Sequence, residues 1–306
     1  MTPTPAPPSS TQPATPSAAG LRALFVHAHP DDEAITTGGT IAALVAAGAE
    51  VRVLTCTLGE EGEVLGEALA GLVADRADQL GGYRIGELGI ALRALGVDHP
   101  RFLGGAGRWR DSGMAGTPSA DHPRAFVRSG DEAVTELVAV LDDFRPHLVV
   151  TYDPRGGYGH PDHIRAHEVV HAAVEEAAHR PHRLAWTVTA RSELDRTHPE
   201  PPAHLRHAEP DELPSVPDSR LTHRVPLDDA DYAAKLAALT GHATQLELVP
   251  GPEGEPWFLA LTNGVLQPVP QVEWYIAHDR TGEDGPYVRC PSGTAHLLTG
   301  LAADAS

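Results

Sequence analysis

The sequence has one lysine, Lys235, in 306 residues; every other fixed cation in it is an arginine. Lys235 sits in an ordinary helical run, which argues against Schiff-base chemistry and against a phosphate-loop lysine. Cysteine is nearly missing too. Cys56 and Cys290 are the only two, too few for a disulfide framework, so the composition predicts reduced thiols in a cytoplasmic protein. No apolar run is long enough to cross a bilayer. Positive charge is scarce, with 23 Lys and Arg against 42 Asp and Glu, a net charge of −19. That balance argues against nucleic acid and anionic membrane as partners. Neither a Gly-x-Ser-x-Gly elbow nor a Gly-x-Gly-x-x-Gly loop occurs. The first twenty residues are mostly Pro, Thr, Ser and Ala, with no basic start and no apolar core, and predict a disordered tail over 1–20 rather than a signal peptide. What remains open for an enzyme is chiefly metal or carboxylate chemistry.

Two stretches carry that chemistry. Leu24-Phe25-Val26-His27-Ala28-His29-Pro30-Asp31-Asp32-Glu33 begins as a buried strand and ends in a His/Asp cluster. Tyr158-Gly159-His160-Pro161-Asp162-His163 follows a second apolar run, Leu148–Tyr152. Between and around them strand and helix patterns alternate. Strands are expected over Leu21–His27, Val51–Thr57, Pro100–Leu103, Leu148–Tyr152 and Leu184–Thr189. Helices are expected over Thr40–Gly48, Asp75–Leu95, Asp131–Phe144 and Pro161–His179, with loops over Gly59–Gly71 and Gly104–His122. The β-α-β order implies an α/β fold, a Rossmann-like, mostly parallel sheet with helices on both faces. Composition shifts near residue 191, so a catalytic domain over 21–190 is expected, followed by a smaller C-terminal α+β part over 191–306. In that part a linker over Arg191–Ser219, a helix over Leu227–Leu248 and a strand over Gln271–His278 are expected.

In open α/β sheets ligands bind at the carboxyl ends of strands, where both clusters fall. His29 and Asp32 offer an imidazole nitrogen and a carboxylate oxygen suited to zinc, and His163 can supply the third ligand, leaving a position for water. Asp31, adjacent but pointing elsewhere, is then the candidate general base. His27, on the same strand face as His29, reads as a packed residue. A competing motif, His167-Glu168-Val169-Val170-His171, matches the His-Glu-x-x-His zinc-protease pattern. Helical periodicity turns Glu168 away from the apolar stripe through Ala166, Val170, Ala173 and Ala177, so it reads as a solvated face.

With these residues in place the sequence resembles the zinc-dependent N-acetylglucosaminyl deacetylases of the LmbE/PIG-L family, through Ala28-His29-Pro30-Asp31-Asp32-Glu33 and His160-Pro161-Asp162-His163. Thr55–Glu63, Asp78–Arg84 and Gly104–Met114 resemble the branch acting on an N-acetylglucosaminyl-inositol in mycothiol biosynthesis. The resemblance implies zinc, with ferrous iron also compatible, and a small pseudodisaccharide as substrate. It implies His29, Asp32 and His163 as ligands and Asp31 as base. His160 would be a charged group that stabilises the oxyanion or protonates the amine, oriented by Asp162, and Tyr158 would help polarise the carbonyl. Arg84, Asp111 and Glu63 would hold sugar or inositol hydroxyls. A related branch cleaves mycothiol conjugates and is expected to carry a lysine soon after the acidic motif. Ala34-Ile35-Thr36-Thr37 stands there instead and favours the deacetylase. A non-catalytic metal- or sugar-binding protein is the alternative of another class, and the spare carboxylate of Asp31 argues against it.

Overall fold

β1 (Arg22–His27) founds the main sheet, and its alternation explains why that sheet is covered on both faces. Ala23 and Phe25 enter one buried cluster, with Ile41, Leu88 and Leu239. Leu24 and Val26 enter another, with Leu137, Leu141 and Val170. The computed structural model describes residues 15–195, 199–251, 257–282 and 285–303. After β1 come α1 (Asp32–Ala46), β2 (Glu50–Thr55), α2 (Leu80–Ala94), β3 (Arg101–Phe102), α3 (Gly130–Phe144), β4 (Leu148–Tyr152), the single turn α4 (Gly156–Gly159), α5 (Pro161–Glu176), β5 (Arg183–Val188) and the short α6 (Arg191–Leu194). The chain continues with β6 (Arg206–His207), β7 (His223–Pro226), α7 (Asp229–Gly241), β8 (Leu246–Pro250), β9 (Trp257–Leu261), β10 (Val265–Pro268), β11 (Val272–Arg280), β12 (Tyr287–Arg289) and β13 (Ala295–His296).

The main sheet runs β13-β7-β11-β5-β4-β1-β2-β3, with β12 on β11. Its stretch β3-β2-β1-β4-β5 is parallel, and β11 lies antiparallel to both β5 and β7. The fold is the mostly parallel α/β arrangement expected, with α1, α2 and α7 on one face and α3 and α5 on the other. Strand order reverses between β1 and β4, which are neighbours. The loops leaving their carboxyl ends therefore diverge and open a crevice.

Some boundaries differ from the sequence reading. α1 starts at Asp32, eight residues before Thr40, and runs through Gly38-Gly39. Those glycines do not break it, because they are where another segment closes on the helix. A Cβ on Gly39 would lie 2.2 Å from Leu227 Cδ1, and one on Gly38 would lie 3.4 Å from Lys235 Cγ. α2 starts at Leu80, after Asp78 at φ 51°. α7 stops at Gly241, short of Leu248, because His242 leaves helical geometry (φ −97°, ψ 48°) and the chain turns into β8. Of the expected tail, residues 1–14 lie outside the described residues. Ala18 is fully buried and donates its amide to Ala47 O at 2.9 Å, so the chain is anchored there, while Pro16, Ser17, Ala19 and Gly20 stay exposed. The part after residue 190 divides between two sheets. β7, β11, β12 and β13 extend the main sheet, while β6, β10, β9 and β8 form a four-stranded sheet of their own. No helix of the described residues is long and apolar enough to cross a membrane.

Candidate metal centre and active site

β1 runs out at His27, and its continuation turns sharply into α1. Asp31, at the helix N-cap, takes φ 118° and ψ −32°, a left-handed backbone that a side chain rarely adopts. From across the crevice, β4 ends at Tyr152, and α5 begins after His160 with Pro161 in its first turn. These two turns bring His29, Asp32 and His163 together, all buried.

Donor atoms of the three side chains lie close together, with Asp32 turning a different oxygen to each ring. His29 Nδ1 lies 3.3 Å from His163 Nε2 and 3.4 Å from Asp32 Oδ2, and His163 Nε2 lies 3.4 Å from Asp32 Oδ1. Donors held about 2.0–2.1 Å from one ion at tetrahedral angles lie about 3.4 Å apart. The surrounding bonds engage His29 Nε2 and Asp32 Oδ2 and leave Asp32 Oδ1, beside His163 Nε2, as the open donor of that carboxylate. His29 points Nε2 at Asp162 Oδ2 (3.2 Å), the carboxylate–histidine pairing that fixes a ligating imidazole as its Nε2–H tautomer. The His163 ring bonds the Gly156 main chain. Asp32 Oδ2 accepts the Tyr152 hydroxyl at 2.7 Å and the His29 amide at 2.9 Å. Tyr152 also stacks on His163, with ring centroids 4.2 Å apart. His29, His160 and His163 together, and His29, Asp111 and Asp162 together, also offer donor atoms within 4.8 Å of one another.

The charges fit this crowding. Burial penalises the His29 cation, but Asp111, Asp162 and Asp32 outweigh it and hold its pKa well above the usual imidazole range. A divalent cation bound among those carboxylates would satisfy the same field. Burial pushes the Asp31 carboxyl up, the Arg84 guanidinium holds it back and the Asp32 charge adds to the rise, leaving it at about 7. Burial and the His29 and His163 rings lower His160 to about 4.

The remaining expected site residues fall in differing places. Asp162 does not hold the His160 ring through its carboxylate. That carboxylate takes His29 Nε2 and the Ser112 amide (2.9 Å), whereas the Asp162 amide donates to His160 Nδ1 at 3.1 Å. His160 therefore presents Nε2–H in neutral form, 4.0 Å from Asp111 Oδ1. Arg84 is engaged with the main chain and with the candidate base, and its Nε has no hydrogen-bond partner among the described residues. Its guanidinium is buried and bonds Asp31 Oδ2 at 3.0 Å, Gly59 O at 2.8 Å and Pro30 O. Asp111 is likewise buried and accepts the Gly113 amide (2.8 Å) and the Glu61 amide (3.3 Å). Glu63 stays exposed, and Gln245 holds its main-chain carbonyl rather than its carboxylate. Tyr158 stands at the rim, 54% exposed, its ring edge-on to His163 with centroids 5.0 Å apart.

In the competing His-Glu-x-x-His motif the His167 and His171 ring centroids lie 4.2 Å apart, but Glu168 turns away from them. Glu168 is exposed and pairs with Arg165. His167 Nδ1 donates to Tyr152 O at 2.9 Å, and His171 Nε2 accepts from Trp186 at 3.0 Å. His27 is packed, 3.0 Å from Thr37 Oγ1. Two contributors were not picked out from the sequence: Tyr152, visible only as the last residue of a strand, and the pair Glu33 with His242, 209 residues apart.

Fold and site together define a Rossmann-like α/β protein with a His/His/Asp donor cluster at the topological switch point, an arrangement suited to metal-assisted hydrolysis. Residues 24–174 match the family described as PIG-L, GlcNAc-PI de-N-acetylase. A protein of Rhodococcus erythropolis named 1D-myo-inositol 2-acetamido-2-deoxy-alpha-D-glucopyranoside deacetylase is 54% identical over 88% of this chain and 96% of its own length. One of the same name from Nocardia farcinica is 55% identical over 92% of this chain and 97% of its own. Among solved structures, the zinc-inhibited form of a teicoplanin deacetylase superposes with a TM-score of 0.50 at 20% identity, covering 86% of this chain and all of that one, which shows the shared fold. The chain belongs to the PIG-L family and is a deacetylase of that family.

Proposed function

We propose that this protein hydrolyses the acetamide of an N-acetylglucosaminyl-inositol, releasing acetate and the free amine, and so serves mycothiol biosynthesis in the cytoplasm. The observation that carries the reading is the His29–Asp32–His163 cluster with the separate Asp31 carboxylate beside it. It is supported by the named activity of the Rhodococcus erythropolis and Nocardia farcinica relatives, which share more than half their residues with this chain over most of its length.

A divalent ion held by His29, Asp32 and His163, zinc or ferrous iron by this donor set, would polarise the acetyl carbonyl and make water acidic enough to attack. Asp31 takes a proton from the attacking water. Its pKa near neutrality suits that transfer, and Arg84 keeps its carboxylate aimed. His160 donates Nε2–H to the carbonyl oxygen as negative charge develops there, and the Tyr158 hydroxyl approaches from the rim. As the C–N bond breaks, the proton held on Asp31 passes to the amine. Asp162 keeps the His29 ring in place throughout. Asp111 orders the loop around the site rather than touching substrate. The buried, unpaired Cys56 and Cys290 fit a reducing compartment.

Acetate release from N-acetylglucosaminyl-inositol, measured beside cleavage of a mycothiol conjugate, tests the reading. Faster turnover of the acetylated pseudodisaccharide is expected; a strong preference for the conjugate would overturn it.

A further inference from the structure

The general base sits on a backbone that must be held against its own preference. Asp31 is one of four non-glycine residues with positive φ among the described residues, and its φ is the most extreme, at 118°. Conformations of this kind persist only where neighbours over-determine them. Two groups do so here. Arg84 grips the Asp31 carboxylate and the Pro30 carbonyl. Glu33, wholly buried, turns its carboxylate back along the chain, and Oε2 accepts the Asp31 amide at 3.0 Å.

Glu33 does not stand alone. Its other oxygen, Oε1, lies 2.7 Å from His242 Nε2, and both side chains are fully buried. His242 is the residue at which α7 ends, so its ring is delivered by the packing of α7 on α1 and α2. Among the described residues its Nδ1 has no hydrogen-bond partner. This buried imidazole–carboxylate bond ties the end of α7 to the first turn of α1.

We propose that His242 is a positioning residue for the general base: through Glu33 it holds the Asp31 main chain in the turn that keeps the Asp31 carboxylate off the metal and aimed at water. The inference rests on the reading of Asp31 as base. It assigns a task to the chain beyond residue 191, since the base stands in the turn between β1 and α1 and its backbone is fixed from the end of α7. The coupling is geometric. Anchoring Oε1 stops the carboxylate from swinging about its last two bonds and so holds Oε2 on the Asp31 amide.

The test compares His242→Leu, which removes the donor, with His242→Gln, whose amide nitrogen can reach the place of Nε2. Steady-state kinetics of deacetylation are read together with metal content and thermal melting. His242→Leu is expected to lower kcat at least tenfold with KM within twofold and metal content unchanged, and His242→Gln to recover most of kcat. Should His242→Leu fail to fold, the double variant Glu33→Leu/His242→Leu removes the stranded charge. It is expected to fold and bind metal while turning over as slowly. Wild-type kcat in whichever of these folds would overturn the proposal, as would loss of metal in step with loss of rate. Asp31→Asn assayed in parallel separates the two levels. If Asp31→Asn is fully active, the reading of the base fails. If Asp31→Asn is inactive while His242→Leu is not, only the positioning role fails.

Discussion

Replacing the single lysine should damage the fold more than any surface change. Lys235 and Glu273 are 1% exposed at the side chain, with Nζ 2.6 Å from Oε1. Glu273 also accepts the amides of Gly39 at 3.0 Å and Thr40 at 2.8 Å. One carboxylate thus joins the middle of α1 to α7 across the strand β11. Lys235→Met keeps the apolar stem and removes the charge, leaving Glu273 buried with two amides as partners. Breaking a buried pair from one side costs about 3–5 kcal/mol, and the retained amide bonds place this case near about 3 kcal/mol. At about 2–4 °C per kcal/mol, the melting temperature should fall by about 6–12 °C. Thermal unfolding followed by circular dichroism at neutral pH measures this. The double variant Lys235→Met/Glu273→Leu should lose less than the sum of the two single changes, because no charge is then stranded. A Lys235→Met protein that melts within a degree of the parent would refute the reasoning, because the pair would then contribute nothing to the hold of α7 on α1.

Other outcomes concern the site. Asp31→Asn should keep its metal and lose turnover by a factor of at least about 100, the scale of a general base; metal analysis showing an empty site would make Asp31 a ligand instead. Arg84→Met removes the cation that opposes the upward push of burial on Asp31. Activity requires the carboxylate, so it is present above the Asp31 pKa and lost as pH falls through it, and the acidic limb of kcat/KM should move to higher pH. A limb that stays in place contradicts the contact. Glu168→Gln, on the exposed face of α5, should change kcat by less than about twofold, within the about 0.5 kcal/mol typical of surface substitutions; a collapse of activity would revive the protease-like motif.

What the sequence disclosed was what is local. The approach of His29, Asp32 and His163 was legible because His29 and Asp32 follow β1 directly, His163 opens the helix that comes after β4, and β1 and β4 are neighbours. The glycines of α1 misled the helix boundary because the reason they are tolerated, the approach of Leu227, lies far away in sequence. Arg84 and Asp111 read as groups facing a sugar because nothing nearby in sequence shows their partners, Asp31, Gly59 and the Glu61 amide. Asp162 was assigned to His160, two residues off, when its carboxylate crosses the crevice to His29. Lys235 looked ordinary because Glu273, which accounts for its burial, is on β11, a different element from the α7 helix that carries the lysine. The chain after residue 191 carries few motifs, and its part in the site is a matter of contacts at long range, such as His242 with Glu33 and Thr244 with Glu87.

The central claim is that His29, Asp32 and His163 hold one divalent ion on which deacetylation depends. Its most direct measurement follows acetate release from N-acetylglucosaminyl-inositol by the chelator-stripped protein as zinc or ferrous ion is returned, with bound metal counted in the same samples and in His163→Ala. The account predicts no release from the stripped protein, recovery complete at about one ion per chain, and neither binding nor recovery in His163→Ala. Acetate release by metal-free protein, or full metal binding by His163→Ala, would contradict it.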